Sequence, residues 1–276
     1  MHPTRGIDHL VLAVRDLEAA RARYSSWGFT LTPRAQHPFG TANSLVQLDG
    51  NFLELLAIDD PVRIPPAPPG GFSFGAFNRE FLARREGFSM LVFESRNARA
   101  DHRDFAAAGL DAQPPFDFSR DARLPDGSTA RVGFSLAFVT DPRLPEAAFF
   151  TCQQHAPQHF WKPEYQRHVN TARQVVEVVM VAPRPAELSG LFAGMQSADA
   201  VVEAGDGLNV RTARGKVSVL TPAAFDQRFP GAALVSRPAT PHLAGFVVRV
   251  DDLGAVKRPL IPAAEAFGTV IAFTAG

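Results

Sequence analysis

The first 60 residues place apolar and polar stretches in an order that predicts a strand, a helix and three more strands. Residues 7–14 form a compact apolar run, which is typical of a buried strand. In residues 17–27, apolar side chains recur three and four positions apart, the spacing of one helix face, and Gly28 ends this helix. Three shorter runs indicate strands, and the dipeptide Asp49-Gly50 predicts a hairpin turn between the last two: 29–32, 43–48 and 51–58.

The same order of elements recurs along the chain. A second unit opens at Gly87, a third at Val175 and a shorter fourth at Gly245. Four units in 276 residues leave about 69 residues for each, which suits a βαβββ module with its connections. The second and third units have predicted helices at 98–108 and 186–193, the latter ended by Gly194, and predicted strands at 88–94, 113–118, 129–139, 147–152, 175–181, 201–204, 208–212 and 216–220.

Two segments interrupt the repeat. Residues 61–71 hold five prolines and two glycines, a composition typical of a rigid linker. Residues 155–171 contain three histidines, a tryptophan and a tyrosine. A segment of this length without a regular pattern is often functional, although a surface crossover loop with polar side chains explains it equally well.

The composition excludes several classes of protein. Lys+Arg and Asp+Glu are both 28, so the net charge is zero, whereas a nucleic-acid or anionic-membrane surface needs a basic excess. The single cysteine, Cys152, excludes an intrachain disulfide. The sequence shows neither a signal peptide nor an apolar run long enough to span a membrane. We therefore expect a cytoplasmic protein that binds a small molecule, with a homodimer as one option for its assembly.

Four segments resemble the vicinal oxygen chelate superfamily, in the glyoxalase-like branch that also includes bleomycin resistance proteins and dioxygenases. They are GIDHLV at 6–11, DLEAA at 16–20, HPFGTAN at 37–43 and NFLEL at 51–55. The resemblance implies an α+β fold in which βαβββ modules pair into two half-open mixed-sheet barrels. The first barrel would span 1–154, with modules at about 5–60 and 87–152. A connection at 155–172 would lead to a second, degenerate barrel at 173–276, with modules at about 173–221 and 243–276.

The resemblance also implies a divalent metal ion between the modules, held by a His on the first strand and a Glu on the last. His9 and Glu54 match these positions, and their donor types suit Zn, Mn, Fe or Ni. The second module has Met90 at the histidine position and no carboxylate at 148–152. His155, just beyond that strand, is the best candidate for a third ligand. In the alternative interpretation, His9 is a core residue and Glu54 faces solvent.

Further residues are candidates for the substrate cavity. His37 and Asn43 flank Phe39-Gly40-Thr41, a loop that borders the cavity in the family. Either His37, as a proton carrier near neutral pH, or Glu54 would move the proton. A turn stabilised by the His37 and Asn43 side chains is the alternative. The predicted substrate-binding residues are Phe39, Asn43, Phe150, Trp161 and His168.

Two functions from different classes remain open. The first is a metal-dependent enzyme acting on a small oxygen-rich or aromatic metabolite by lyase, isomerase or dioxygenase chemistry. The second is a metal-free protein that binds or sequesters a small molecule, as bleomycin resistance proteins do. The excess of Phe, 23 against 2 Tyr and 2 Trp, fits an apolar cavity in either case. The second barrel lacks ligand residues, so we expect it to support the first or to mediate dimerisation.

Overall fold

The computed structural model describes residues 4–123, 129–205, 207–234 and 237–276, which fold into two mixed β-sheets with flanking helices. Strand β1 runs parallel to β4 and antiparallel to β5, which in turn runs parallel to β9, so two modules meet between β1 and β5. The order is β2-β3-β4-β1-β5-β9-β8-β6, with β7 paired to β8. The described strands of this first sheet are β1 (Ile7–Ala13), β2 (Ala35–Gln36), β3 (Thr41–Gln47), β4 (Phe52–Ile58), β5 (Gly87–Glu94), β6 (Asp111–Ala112), β7 (Phe116–Arg123), β8 (Thr129–Thr140) and β9 (Ala148–Gln154).

The second sheet repeats this arrangement. Strand β10 runs parallel to β13 and antiparallel to β14, and β14 runs parallel to β16. The order is β11-β12-β13-β10-β14-β16-β15. Its described strands are β10 (Ala172–Val181), β11 (Val201–Ala204), β12 (Gly207–Arg211), β13 (Lys216–Leu220), β14 (His242–Val250), β15 (Leu260–Ile261) and β16 (Val270–Ala275). The predicted fold class, α+β with paired βαβββ modules and half-open sheets, is confirmed.

The first three helices begin at polar residues whose side chains accept backbone N–H groups. Asp16, Ser73 and Asn97 each accept a hydrogen bond from the third residue beyond them and so cap the first three helices. The helices are α1 (Leu17–Ser26), α2 (Phe74–Arg84), α3 (Ala98–Ala107), α4 (Pro157–Phe160), α5 (Ser189–Met195) and α6 (Pro222–Arg228). None of the helices in the described ranges is both long enough and apolar enough to cross a bilayer.

One hydrophobic core lies between the two sheets. Leu10 of β1 and Val178 of β10 both belong to it, and the ring of Phe88 meets that of Phe246 edge-on, with centroids 6.4 Å apart. Because side chains alternate along a strand, His9 and Val11 point to the opposite face of the first sheet. This opposite face carries a separate cluster of aromatic residues.

The corresponding face of the second sheet is filled by α6. Phe225 and Phe229 pack there against Val179 of β10. Arg228 donates two hydrogen bonds, of 2.6 and 2.7 Å, to the buried carboxylate of Glu177. The cavity that remains has a volume of only about 10 Å³. Helix α6 therefore occupies the place where the first sheet has its open cavity.

Two predicted elements differ from the structure. Residues 29–32 do not form a strand, because Thr32 bonds to β3 through its side chain as well as its backbone, and Pro33 lacks an N–H donor. The predicted helix at 186–193 is a 3₁₀ turn followed by α5, and Gly194 lies inside α5 rather than after it. A Cβ on Gly194 would lie 2.9 Å from a methyl carbon of Leu110, so the glycine permits close packing between the two halves.

Candidate functional site

The free face of the first sheet forms a cavity with aromatic walls and a polar floor. Its volume is about 50 Å³, space for roughly four water molecules. The polar floor consists of His9 on β1, Asn43 on β3, Glu54 on β4 and His37, which precedes β3. The walls contain seven phenylalanines: Phe39, Phe52, Phe74, Phe118, Phe134, Phe150 and Phe160.

The carboxylate of Glu54 lies at the centre of the polar floor. Asn43 Nδ2 donates a 2.6 Å hydrogen bond to Glu54 Oε1, and His37 Nε2 lies 3.8 Å from the same oxygen. His9 Nε2 lies 3.8 Å from the other oxygen, Oε2. Glu54 is only 5% exposed. One carboxylate oxygen is thus held by an amide, while the other faces an imidazole.

Strand pairing explains why these side chains meet. In the antiparallel β3–β4 pair, Leu45 lies opposite Glu54 and Asn43 lies opposite Leu56. Asn43 is therefore a diagonal neighbour of Glu54 on the same face of the sheet. In the parallel β1–β4 pair, Val11 lies opposite Glu54, and His9, two positions earlier, shares its face. The interpretation in which Glu54 faces solvent is wrong.

His37 is a neutral, fixed imidazole. Burial lowers its pKa to about 4, although the nearby Glu54 carboxylate opposes this shift. Asn43 Nδ2, which can only donate, lies 3.3 Å from His37 Nε2, so this ring nitrogen must be the acceptor. The proton then sits on Nδ1, which donates to Thr41 Oγ1 at 2.8 Å. The His37 ring also stacks on Phe39, with centroids 4.9 Å apart.

Asp8 and Phe52 fix the position of the His9 ring. Asp8 Oδ1 lies 2.5 Å from His9 Nδ1, and the His9 ring stacks on Phe52 with centroids 4.3 Å apart. Burial raises the pKa of the Asp8 carboxyl, while the hydrogen bond to His9 opposes this shift. Asp8 also lines a separate groove with Gln154 and Trp161. The His9–Asp8 pair therefore connects the cavity floor to a second opening.

The positions related to the polar floor in the second module are apolar. In the β5–β9 pair, Phe150 lies opposite Val92, and this position corresponds to Glu54 opposite Val11 in the β1–β4 pair. Met90, opposite Ala148, corresponds in the same way to His9, opposite Phe52. A phenyl ring cannot ligate a metal, and a thioether is a poor ligand for a hard divalent ion.

The donor set of the cavity follows from this asymmetry. His9 and Glu54 are the two side chains that would contact a metal ion bound at the floor. In the described parts of the chain, no group of three His, Cys, Asp or Glu side chains is arranged to hold a metal ion. These donors therefore do not fit a metal ion held by the protein alone, and the metal dependence implied by the family resemblance stays a prediction.

His155, the predicted third ligand, lies outside the residues that line the described cavity. Its Nε2 is 2.8 Å from Ser135 Oγ, which donates to Asp117 Oδ1 at 2.5 Å, and its backbone N–H donates to the Gly133 carbonyl. Strand β9 ends at Gln154, and the chain then turns toward β8. The predicted trio of His9, Glu54 and His155 therefore does not come together.

The predicted substrate-binding residues divide into two groups. Phe39, Asn43 and Phe150 line the cavity. Trp161 lies behind it, with its ring edge-on to Phe52 and facing the second groove. His168 is also elsewhere: its Nδ1 accepts from the Thr30 N–H at 3.0 Å and its Nε2 donates to the Gln47 carbonyl at 2.8 Å. With both ring nitrogens bonded to backbone, His168 fastens the connection to the first sheet.

Sequence reasoning missed Arg120, which also lines the cavity. The predicted strand ended at residue 118, whereas β7 continues to Arg123. The alternation of Phe116, Phe118 and Arg120 was the available signal, because every second residue of a strand shares one face.

A larger outer cavity adjoins the inner one. Its volume is about 480 Å³, and it shares four lining residues with the inner cavity: Asn43, Leu45, Arg120 and Phe160. We call it the vestibule. The charged side chains around it include Arg34, Asp121, Lys162 and Glu164. A small molecule that enters through the vestibule must therefore pass Arg120 and Asn43 to reach Glu54.

Comparison with solved structures finds several proteins that are similar to parts or all of this chain. A hypothetical protein from Staphylococcus aureus is similar over 99% of this chain and 100% of that one, with a TM-score of 0.71 and 12% identity. A mutant of 4-hydroxymandelate synthase from Streptomyces coelicolor is 13% identical over 92% of this chain and 74% of that one, with a TM-score of 0.48. Methylmalonyl-CoA epimerase from Mycobacterium tuberculosis is 16% identical over 55% and 90%, with a TM-score of 0.38.

At 12% identity, the Staphylococcus aureus structure indicates the fold alone. No curated protein matches the sequence. A family model described as a glyoxalase-like domain matches residues 7–195, which is more than half of the chain and includes the complete polar floor of the cavity. The chain therefore belongs to the glyoxalase-like domain family of the vicinal oxygen chelate superfamily.

Proposed function

We propose that the protein is an enzyme that moves a proton at a carbon next to a carbonyl group of a small substrate, in a lyase or isomerase reaction. The observation that carries this proposal is the buried carboxylate of Glu54, held by Asn43 between the imidazoles of His9 and His37. A positioned carboxylate in an apolar cavity is a general base of the kind that such reactions need.

Each polar residue has a separate part in this proposal. Glu54 Oε2, which Asn43 does not occupy, takes the proton from carbon; the C–H electron pair forms a C=C bond and the carbonyl π pair moves to oxygen, which gives an enolate. In an isomerase, the proton of the neighbouring hydroxyl moves to this oxygen and the carboxyl returns its proton to the former carbonyl carbon; in a lyase, the carbonyl re-forms, the leaving group departs with its bonding pair and the carboxyl protonates it. His9, supported by Asp8, faces Oε2 and can accept the proton from it. His37 positions Asn43, whose buried Oδ1 has no partner in the described structure and can accept a substrate hydroxyl.

The aromatic walls contribute by excluding water. Few water molecules fit beside Glu54, so electrostatic interactions at the floor act at a lower effective dielectric constant than in solvent. The inner cavity has room for the reacting end of a substrate, and the adjoining vestibule has room for the remainder. No step of this proposal passes through a metal ion, because the donors at the floor do not complete a metal site.

A metal-free binding protein is the second candidate function. Met90 and Phe150 favour it, because the second module contributes only apolar side chains to the positions where the first has His9 and Glu54. Such a protein would hold its ligand without turning it over. The two functions differ in whether bound compounds exchange their protons.

Exchange with solvent deuterium separates the two candidates. Wild type is incubated in D₂O with hydroxyacetone and 2-hydroxyacetophenone, which differ by a phenyl ring, and the C–H signals are followed by proton NMR while binding is measured by calorimetry. The enzyme should catalyse exchange, and Glu54→Gln should lower the rate by a factor of about 10² to 10⁴. Glu94→Gln, outside the cavity, is the matched control. Binding without exchange would instead support the binding protein.

A further inference from the structure

Arg120 occupies the boundary between the inner cavity and the vestibule. It lies on β7 opposite Val132 of β8, two positions beyond Phe118, and its side chain lines both spaces. Phe118 on the same face contacts the rings of His37 and Phe39. The alternation along β7 therefore directs the guanidinium toward the polar floor from the side opposite to β4.

The guanidinium of Arg120 has no hydrogen bond or ion pair in the part of the chain that the structure describes. Other arginines nearby are paired: Arg34, also in the vestibule, with Asp59, and Arg99 with Asp117. Burial lowers the pKa of Arg120, and only the charge of Glu54 opposes this shift. A half-buried cation without a bonded partner is costly, so such groups usually find an anion.

We propose that Arg120 binds the carboxylate of a small monocarboxylic acid whose apolar body enters the inner cavity. This inference rests on the proposed function, for which it names the substrate class. The planar guanidinium offers two parallel N–H donors that match the two oxygens of a carboxylate. An acid held at this boundary directs its remaining atoms toward the aromatic walls and Glu54.

The charges of the vestibule favour a carboxylate over a phosphate. Asp121 and Glu164 line the same space, and Glu54 lies beyond Arg120. A dianion would meet these three carboxylates, and of the other vestibule cations Arg34 is already paired with Asp59 and Lys162 also has a partner. A monoanion with an apolar ring is neutralised by Arg120 alone, and its ring finds the phenylalanine walls.

Calorimetry with three probes that share a phenyl ring tests the proposal. Phenylacetate is compared with phenylacetamide, its uncharged isostere, and with phenyl phosphate. We expect wild type to bind the acid at least about tenfold more tightly than the amide, the range of a charge-assisted bidentate pair. Arg120→Gln should abolish this preference. Arg120→Lys keeps the charge but not the two parallel N–H donors, so it should keep only part of the preference. Arg99→Gln is the matched control, since Arg99 is paired with Asp117 and lines neither cavity.

Several outcomes would overturn the proposal. Equal affinity for acid and amide, a preference that survives in Arg120→Gln, or no binding of any probe at millimolar concentration would each do so. Tighter Arg120-dependent binding of phenyl phosphate would assign the site to phosphates instead. Because the guanidinium is unpaired, we expect Arg120→Gln to unfold at the wild-type temperature. If Arg120→Gln unfolds at a lower temperature, Arg120→Lys provides the test instead.

The proposed enzyme function and the proposed carboxylate site can be refuted independently of each other. Glu54→Gln should still bind phenylacetate in an Arg120-dependent manner, because the carboxylate site lies on β7 and not on β4. Acid selectivity without proton exchange in wild type, measured also with phenylpyruvate, which carries both a carboxylate and C–H bonds next to a carbonyl, would refute the enzyme and leave the carboxylate site in place. Exchange without acid selectivity would refute the carboxylate site and leave the enzyme in place.

Discussion

The amide nitrogen of Asn43 lies 2.6 Å from Oε1 of Glu54, and this contact fixes which carboxylate oxygen is left to react. Asn43→Ala should lower the proton-exchange rate by up to about 100-fold, because a freely rotating carboxylate is misplaced relative to the substrate. Exchange rates measured by NMR, with binding measured on the same sample, provide the test. Asn209→Ala in the second sheet, which removes an amide bonded to Ser218, is the control. An unchanged rate in Asn43→Ala would show that Glu54 does not need this support.

We expect the protein to lose stability in mild acid because two of its histidines are buried. Burial lowers the pKa values of His37 and His242 to about 4, so both imidazoles are neutral in the folded protein at pH values where the unfolded chain binds protons. The contribution of each neutral imidazole to the free energy of unfolding is complete above about pH 6.5. As the pH falls toward 4, this contribution is lost at roughly 1.4 kcal/mol per pH unit for each imidazole.

The pH dependence is measured by urea unfolding between these limits. His37→Asn and His242→Asn should each flatten the curve of unfolding free energy against pH, and the double variant should flatten it most. Parallel curves for wild type and all three variants would contradict the assignment.

Metal removal should have little effect on the protein. The cavity floor contributes two candidate ligands, and the related positions are Met90 and Phe150. Without a third protein ligand, binding is expected to be too weak to stabilise the folded state by mass action. Chelation or addition of Mn, Fe, Ni or Zn should shift the unfolding temperature by less than about 1 °C. Elemental analysis gives the independent readout; a bound metal that is lost in His9→Ala would restore the metal-dependent prediction.

The ion pair under α6 should contribute to stability and not to exchange. Glu177 is buried, and Arg228 donates two hydrogen bonds to its carboxylate. Arg228→Met leaves that carboxylate with Lys216 at 3.6 Å and should cost about 2 kcal/mol, less than a fully buried pair because Arg228 is partly exposed. Chemical unfolding measures the loss. Exchange should stay at the wild-type rate, and the double variant Glu177→Gln, Arg228→Met should recover part of the stability.

Much of the candidate site followed from the sequence because the βαβββ order and the family resemblance together place particular strands side by side. His9 and Glu54 are distant in the chain but lie on the adjacent strands β1 and β4. His37 and Asn43 were predicted at the cavity, and the structure places both beside Glu54. At these positions the short-range pattern and the strand order point to the same face of the sheet.

The remaining features depend on tertiary contacts. Arg120 was missed because β7 continues beyond its apolar residues, and a polar residue at a strand end looks like a turn in the sequence. His155 follows β9 directly, yet its direction is set by the turn toward Ser135. The filling of the second sheet by α6 could not be predicted, since no local pattern shows which helix covers which face.

The core between the two sheets makes the second half a support for the first. Leu10 and Phe88 belong to the strands that form the wall of the cavity, and they pack against the second half through contacts such as Phe88 with Phe246. Neither half can cover its rear face alone, so heat should unfold both in one calorimetric transition. Removing the second half would therefore expose the rear face of β1 and displace His9 even with every cavity residue intact. The half without an open cavity keeps the other half in shape.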